Sequence, residues 1–136
     1  MAQQISVARL RGITTQQVDK LKAHKITNSG HLLQHAGTTA GRKDLAGKSG
    51  IPESAVLELV NRADLARVVG IGRQYSNLLE DAGVDSVPEL AQRNAANLHS
   101  TLQGAATKSG VQRPPSLKQV QDWVKQANAL PRAVFH

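Results

Sequence analysis

Apolar residues recur along this chain at intervals of three and four, and polar residues that cap helices precede the runs. The stripes are Val18 and Leu21; Val56, Leu59, Val60 and Ala63; Tyr75, Leu78, Leu79 and Ala82; and Leu117, Val120, Trp123, Val124 and Ala127. Thr14-x-x-Gln17, Ser86-x-x-Glu89 and Ser116-x-x-Gln119 fit the capping box, in which a hydroxyl and a side chain three residues on satisfy the free amides of a first turn. Helices are predicted to begin near 14, 87 and 117. Alternation of period two is missing, so the pattern predicts an all-α fold whose core is made of these stripes. Trp123 falls in register with Val120, Val124 and Ala127, which makes it a core residue rather than a stacking platform.

The pattern also repeats. A shift of 58 residues overlays Ala8, Arg9, Gly12, Ile13, Gln16, Leu21, Leu32 and Gln34 on Ala66, Arg67, Gly70, Ile71, Gln74, Leu79, Leu90 and Gln92. A shift of 60 overlays Lys48-Ser49-Gly50 on Lys108-Ser109-Gly110, and a shift of 64, after Pro114-Pro115, overlays Val56, Val60 and Ala63 on Val120, Val124 and Ala127. Two halves, 1–65 and 66–136, are expected to pack together. The segment from Asn61 to Arg67 contains neither Gly nor Pro, so the join is expected to be a continuous helix.

Charge changes the picture from fold to partner. The chain of 136 residues carries 17 Lys and Arg against 10 Asp and Glu, a net charge of +7 that suits a polyanion. Residues 9–48 hold eight cations against two acids and residues 100–132 five against one, whereas the middle holds four against seven. A polyanion is therefore expected to meet the two basic stretches. There is no Cys, which excludes disulfides, zinc ribbons and a thiol nucleophile. The N-terminal residues lack the apolar region of an export signal, and no stretch approaches the roughly 18 apolar residues of a membrane span. A cytoplasmic protein that does not enter the membrane is the expectation.

Four glycine–hydrophobic pairs stand between predicted helices: Gly12-Ile13, Gly50-Ile51, Gly70-Ile71 and Gly110-Val111. In Val68-Val69-Gly70-Ile71-Gly72, Gly70 and Gly72 are expected to allow a tight turn with positive φ, the Ile plugging into the core. The stretch from Ala66 to Val84 resembles a helix-hairpin-helix motif, and the paired spacing resembles the pseudo-twofold unit of DNA-binding helix-hairpin-helix proteins. The whole chain resembles a bacterial family catalogued as a domain of unknown function, number four-three-three-two. That resemblance is carried by Ala40-Gly41-Arg42-Lys43-Asp44-Leu45-Ala46, Val60 to Leu65, Leu90 to Leu98, and Asp122-Trp123-Val124 through Leu130-Pro131-Arg132.

The family label carries no activity; the helix-hairpin-helix resemblance implies two tandem helix-hairpin-helix pairs packed as one compact helical unit. It implies sequence-nonspecific contact with duplex or branched DNA, backbone amides meeting phosphate, with a monovalent cation held by hairpin carbonyls in some such motifs. The residues expected at the interface are Arg9, Arg11 and Gly12 in the first hairpin; Arg42, Lys43, Lys48 and Gly50 in the second; Arg67, Gly70, Gly72 and Arg73 in the third; and Lys108, Gly110 and Arg113 in the fourth. Arg42, Lys43 and Lys48 are expected to matter more than Arg67 and Arg73, whose field Glu80, Asp81 and Asp85 offset. The first and fourth hairpins lack the second glycine. An alternative follows, in which the hairpins only pack helices and the protein is a scaffold for another protein.

Other signals carry less. Gly47-Lys48-Ser49 lacks the glycine five residues upstream that a phosphate-binding loop requires, since position 42 is Arg, and no strand precedes it. His31 and His35 have metal-compatible spacing, but no Cys or Glu nearby in sequence completes a shell. Glu80, Asp81 and Asp85 read as solvated acids at a helix end. With no nucleophile motif, no metal and no other cofactor assigned, the chain reads as a non-enzymatic binding module.

Overall fold

Side-chain caps decide where most of the helices begin. The computed structural model describes residues 3–136, in which a single 3₁₀ turn at Val7–Arg9 is followed by eight α-helices. These are α1 (Thr15–Ala23), α2 (Ser29–Ala36), α3 (Thr39–Ser49), α4 (Glu53–Leu65), α5 (Arg73–Asp81), α6 (Val87–Ala91), α7 (Ala95–Ser109) and α8 (Leu117–Ala129). Met1 and Ala2, part of the segment read as lacking an export signal, lie outside the described residues. Among the described residues there is no strand beyond an isolated bridge between Ser6 and Asn28, and no helix is long and apolar enough to cross a membrane. The fold is all-α.

Thr14, Asn28, Thr38, Ser86, Asn94 and Ser116 each accept a hydrogen bond from an amide of the helix that follows. The Thr14 and Ser116 backbone N–H groups donate in turn to Gln17 Oε1 and Gln119 Oε1, which completes the capping box. At Ser86 the hydroxyl accepts from the Glu89 N–H at 3.4 Å. The three predicted helix starts thus fall within one residue of those observed.

Three backbone hydrogen bonds recur at an interval of 58 residues. Leu10 N–H donates to Val7 O and Ile13 N–H to Leu10 O; 58 residues on, Val68 N–H donates to Leu65 O and Ile71 N–H to Val68 O. At the end of α1, Ile26 N–H reaches back to Leu21 O, as Val84 N–H reaches Leu79 O after α5. The turn needs a left-handed residue, which is Gly83 (φ +89°) in the second half and Lys25 (φ +64°) in the first. A Cβ at that conformation costs about 1–2 kcal/mol. Lys25→Gly should therefore raise stability by about 0.5–1 kcal/mol despite the flexibility glycine adds to the unfolded chain, a gain that a urea titration would read.

The core lies in two clusters. Val7, Leu21, Ile26, Leu32, Leu45, Ile51, Val56 and Val60 belong to the first, and Leu65, Val68, Ile71, Leu79, Leu90, Leu102, Val120 and Trp123 to the second. Trp123 is buried as expected and lies 5.2 Å from Tyr75, ring centre to ring centre. Leu117, read as a core residue, is exposed because it opens α8 ahead of the buried stripe. The join also differs from expectation. α4 stops at Leu65, and Ala66 to Gly70 form turns closed by the Arg67 N–H on Asp64 O and the Val68 N–H on Leu65 O.

Both tails cross to the opposite half. Gln3 N–H donates to Arg67 O, and Gln3 Nε2 donates to Ile71 O at 2.7 Å. Beyond α8 the chain runs back as a strap: Val134 is buried in the first cluster, and Phe135 N–H donates to Gly37 O at 2.7 Å.

Candidate nucleic-acid interface

The four glycine turns share one backbone feature. Gly12, Gly50, Gly70 and Gly110 are exposed and left-handed, with φ between +72° and +98°. Gly72 is not of this kind. Its φ is −95°, it is the N-cap of α5, and a Cβ there would meet nothing within 4 Å. The positive φ expected of both glycines belongs to Gly70 alone.

What differs among the turns is the helix start that follows. After Gly12 and Gly110, Thr14 and Ser116 close the amides of α1 and α8 with their capping boxes. After Gly50-Ile51-Pro52 and Gly70-Ile71-Gly72, α4 and α5 begin without any side-chain cap. The first-turn amides of an uncapped helix have no intrahelical acceptor and carry the positive end of its dipole. At α4, Glu53 already stands in the first turn and complements that dipole, whereas the first turn of α5 contains no acid.

The expected basic residues separate into engaged and free groups. Arg42 is buried, 4% exposed, and is withdrawn from any surface. Its Nη1 donates to Ala36 O and Gly37 O, and its Nη2 to Thr39 Oγ1 and to Phe135 O at 2.6 Å, so its role is to seat the strap. Arg67 is held by buried Asp64 and by Pro131 O. Arg11 bonds Glu80 Oε2 at 3.2 Å and Asp81 Oδ1 at 3.1 Å, while Arg62 bonds Glu80 Oε1 at 2.8 Å and Arg11 O at 2.6 Å. Burial works against the Arg11 charge, but the hydrogen bonds and fields of Asp81 and Glu80 outweigh it and hold its pKa above the ordinary value. Glu80 and Asp81, read as solvated, are instead the clasp between the halves.

Arg9, Lys43, Arg73, Lys108 and Arg113 are exposed and make no ion pair among the described residues; Lys48 pairs only with exposed Asp44. The fold brings two of them together. Arg9, Leu10 and Arg11 of the first turn line one small crevice with Ile71, Gly72 and Arg73 of the third, so Arg9 and Arg73 flank the uncapped start of α5. The crevice joins two turns, at Gly12 and Gly70, that the 58-residue alignment treats only as equivalents. At the second turn Lys20 Nζ approaches to 3.9 Å of where a Gly50 Cβ would be, and Arg62 likewise reaches Gly12. Neither Lys20 nor Arg62 was singled out from sequence, because each lies on a helix distant in sequence from the glycine it meets.

In the third hairpin, where some motifs of this kind hold a monovalent cation on carbonyl oxygens, Ile71 O accepts from Gln3 Nε2 and Val68 O from the Ile71 N–H. Gly47-Lys48-Ser49 lies within α3, where Ser49 Oγ donates to Leu45 O. No group of three or more His, Asp or Glu side chains suited to a metal occurs among the described residues.

A family model described as a domain of unknown function, DUF4332, matches residues 11–130. The chain belongs to the DUF4332 family. No curated protein and no solved structure matches it. The DUF4332 match spans all four glycine turns and the Arg11–Glu80–Arg62 clasp. Arg9 and the strap lie outside the matched span.

Proposed function

We propose that the glycine turns are helix-hairpin-helix motifs and that the protein is a non-enzymatic, cytoplasmic module that binds duplex or branched DNA by its backbone, without sequence preference. The observation that carries this reading is the uncapped, acid-free start of α5, flanked by the unpaired Arg9 and Arg73. Free amides at a helix start suit a phosphate oxygen, and two guanidinium groups beside them add charge-assisted bonds and counterion release. The Gly50 turn, with Lys20 and Lys48, offers a weaker second contact, since Glu53 occupies the first turn of α4. This ordering reverses the one expected from charge distribution alone, because Arg42 is buried and two of the three acids near Arg73, Glu80 and Asp81, are paired with Arg11 and Arg62.

The test is DNA affinity across salt. Arg9→Gln with Arg73→Gln should flatten the log–log salt slope by about two units, one per lost phosphate contact. Lys43→Gln with Lys48→Gln should flatten it by about one. Absence of duplex binding at low salt would overturn the reading and favour the scaffold alternative, whose signature is a protein partner that survives nuclease treatment.

A further inference from the structure

We propose that Glu80 is a positioning residue for the phosphate contact at the start of α5: it fixes Arg9 in place, so that removing its negative charge weakens the hold on a polyanion. The inference rests on the nucleic-acid reading above and deepens it. Arg9 ends the 3₁₀ turn of the first half, whereas Gly72 and Arg73 open α5 in the second, and the crevice that they line lies between the two. Arg9 makes no ion pair among the described residues, so its side chain is placed by the backbone that carries it.

That backbone is anchored two residues on. The Arg11 carbonyl accepts from Arg62 Nη1 at 2.6 Å, and Arg62 Nε donates to Glu80 Oε1 at 2.8 Å. The other carboxylate oxygen, Glu80 Oε2, accepts from Arg11 Nη1 at 3.2 Å. One carboxylate of α5 thus meets the Arg11 side chain directly and the Arg11 carbonyl through Arg62. The guanidinium N–H groups form a rigid planar fork, so an arginine held at one end is directed at the other. The Glu80 side chain is only 12% exposed, which leaves water little room to replace it. Asp81 differs. It is 39% exposed and pairs with Arg11 alone, which without it keeps Glu80 and the Asn77 carbonyl. Glu58 and Asp85 line a hollow of about 260 Å³ with Arg11, Arg62 and Glu80 and form no ion pair among the described residues, so an Arg62 released by Glu80 has other carboxylates to turn to. Its bond to the Arg11 carbonyl would be lost in that turn. Charge alone predicts that losing either acid tightens DNA binding, since each loss raises the net charge by one. The geometry predicts that only the loss of Asp81 can do so.

Two measurements on the full chain test the proposal. In the first, Glu80→Gln and Asp81→Asn are compared by duplex affinity across salt. Glu80→Gln should weaken binding about threefold or more at low salt and flatten the log–log slope by about one unit, the contact of Arg9. Asp81→Asn should bind at least as tightly as the parent. In an Arg9→Gln background, Glu80→Gln should change neither affinity nor slope further. A chain that is merely less folded binds less but keeps its slope, so the slope separates positioning from stability. Arg62→Lys, which keeps the charge and loses the planar fork, should repeat the loss if Glu80→Gln does not fold. In the second measurement, inorganic phosphate is titrated to about 50 mM, a range suited to a millimolar site, while backbone amide resonances are followed. The Arg73 and Gln74 amides should shift in the parent and shift less in Glu80→Gln. Tighter duplex binding by Glu80→Gln, an equal effect of Asp81→Asn, or a loss that persists in the Arg9→Gln background overturns the proposal. If the parent does not bind duplex at low salt, the DNA reading fails and the phosphate titration decides alone: smaller shifts in Glu80→Gln uphold the positioning role, and equal or absent shifts overturn it.

Discussion

Asp64→Ala should cost the fold about 3–5 kcal/mol, the range seen when one member of a buried charged pair is removed. The carboxylate is 1% exposed. One oxygen accepts from Arg67 Nε at 2.9 Å and from Nη2, and the other accepts the Val87 N–H at 3.0 Å. Alanine would leave a guanidinium that is only 11% exposed with Pro131 O as its remaining partner, and the first amide of α6 with none. Both groups would be desolvated without compensation. Asp64→Asn keeps an acceptor for Val87 and should fall between alanine and the parent. Urea titration measures the loss at constant slope, and a change below about 1 kcal/mol would mean that Arg67 finds water instead.

Gly70→Ala should be the next most damaging change, at about 2–4 kcal/mol. Two costs combine there. The residue sits at φ +98°, and a Cβ would come within 3.0 Å of Trp123 Nε1. The turn has little freedom to yield, because Gln126 grips the Val69 N–H at 2.8 Å and the Val69 carbonyl at 2.9 Å. Gly72→Ala, two residues on, meets open space at a permitted φ and should leave stability within about 0.5 kcal/mol of the parent or raise it slightly. Thermal melts of the two single variants separate these outcomes, and similar losses in both would contradict the turn described here.

Sequence revealed whatever is local. Thr14 and Gln17, or Ser116 and Gln119, satisfy each other within one turn, so their spacing alone locates α1 and α8. The glycine turns and the buried stripes likewise depend on near neighbours. The burial of Arg42 is hidden because three of its four acceptors are carbonyl oxygens, one of them on Phe135, 93 residues away, and a main-chain oxygen leaves no mark in a sequence. Gly72 was misread because a glycine that permits a left-handed turn and one that opens a helix look alike as letters. That Arg9 and Arg73 line one crevice is hidden for a different reason: the repeat makes their turns equivalent, which says nothing about the two turns meeting.

The strap also bears on when this protein can finish folding. Val134 is needed to close the core of the first half, and the Phe135 carbonyl takes one arm of the buried Arg42. As a chain leaves the ribosome, its N-terminal part ordinarily folds first. Here the earliest helices wait, part of their interior open to water, until synthesis has passed through α8 and delivered Val134 and Phe135. A nascent chain stalled after α8 would present a nearly complete second core beside an unsealed first one, so translation itself sets the order in which the two halves reach their final state.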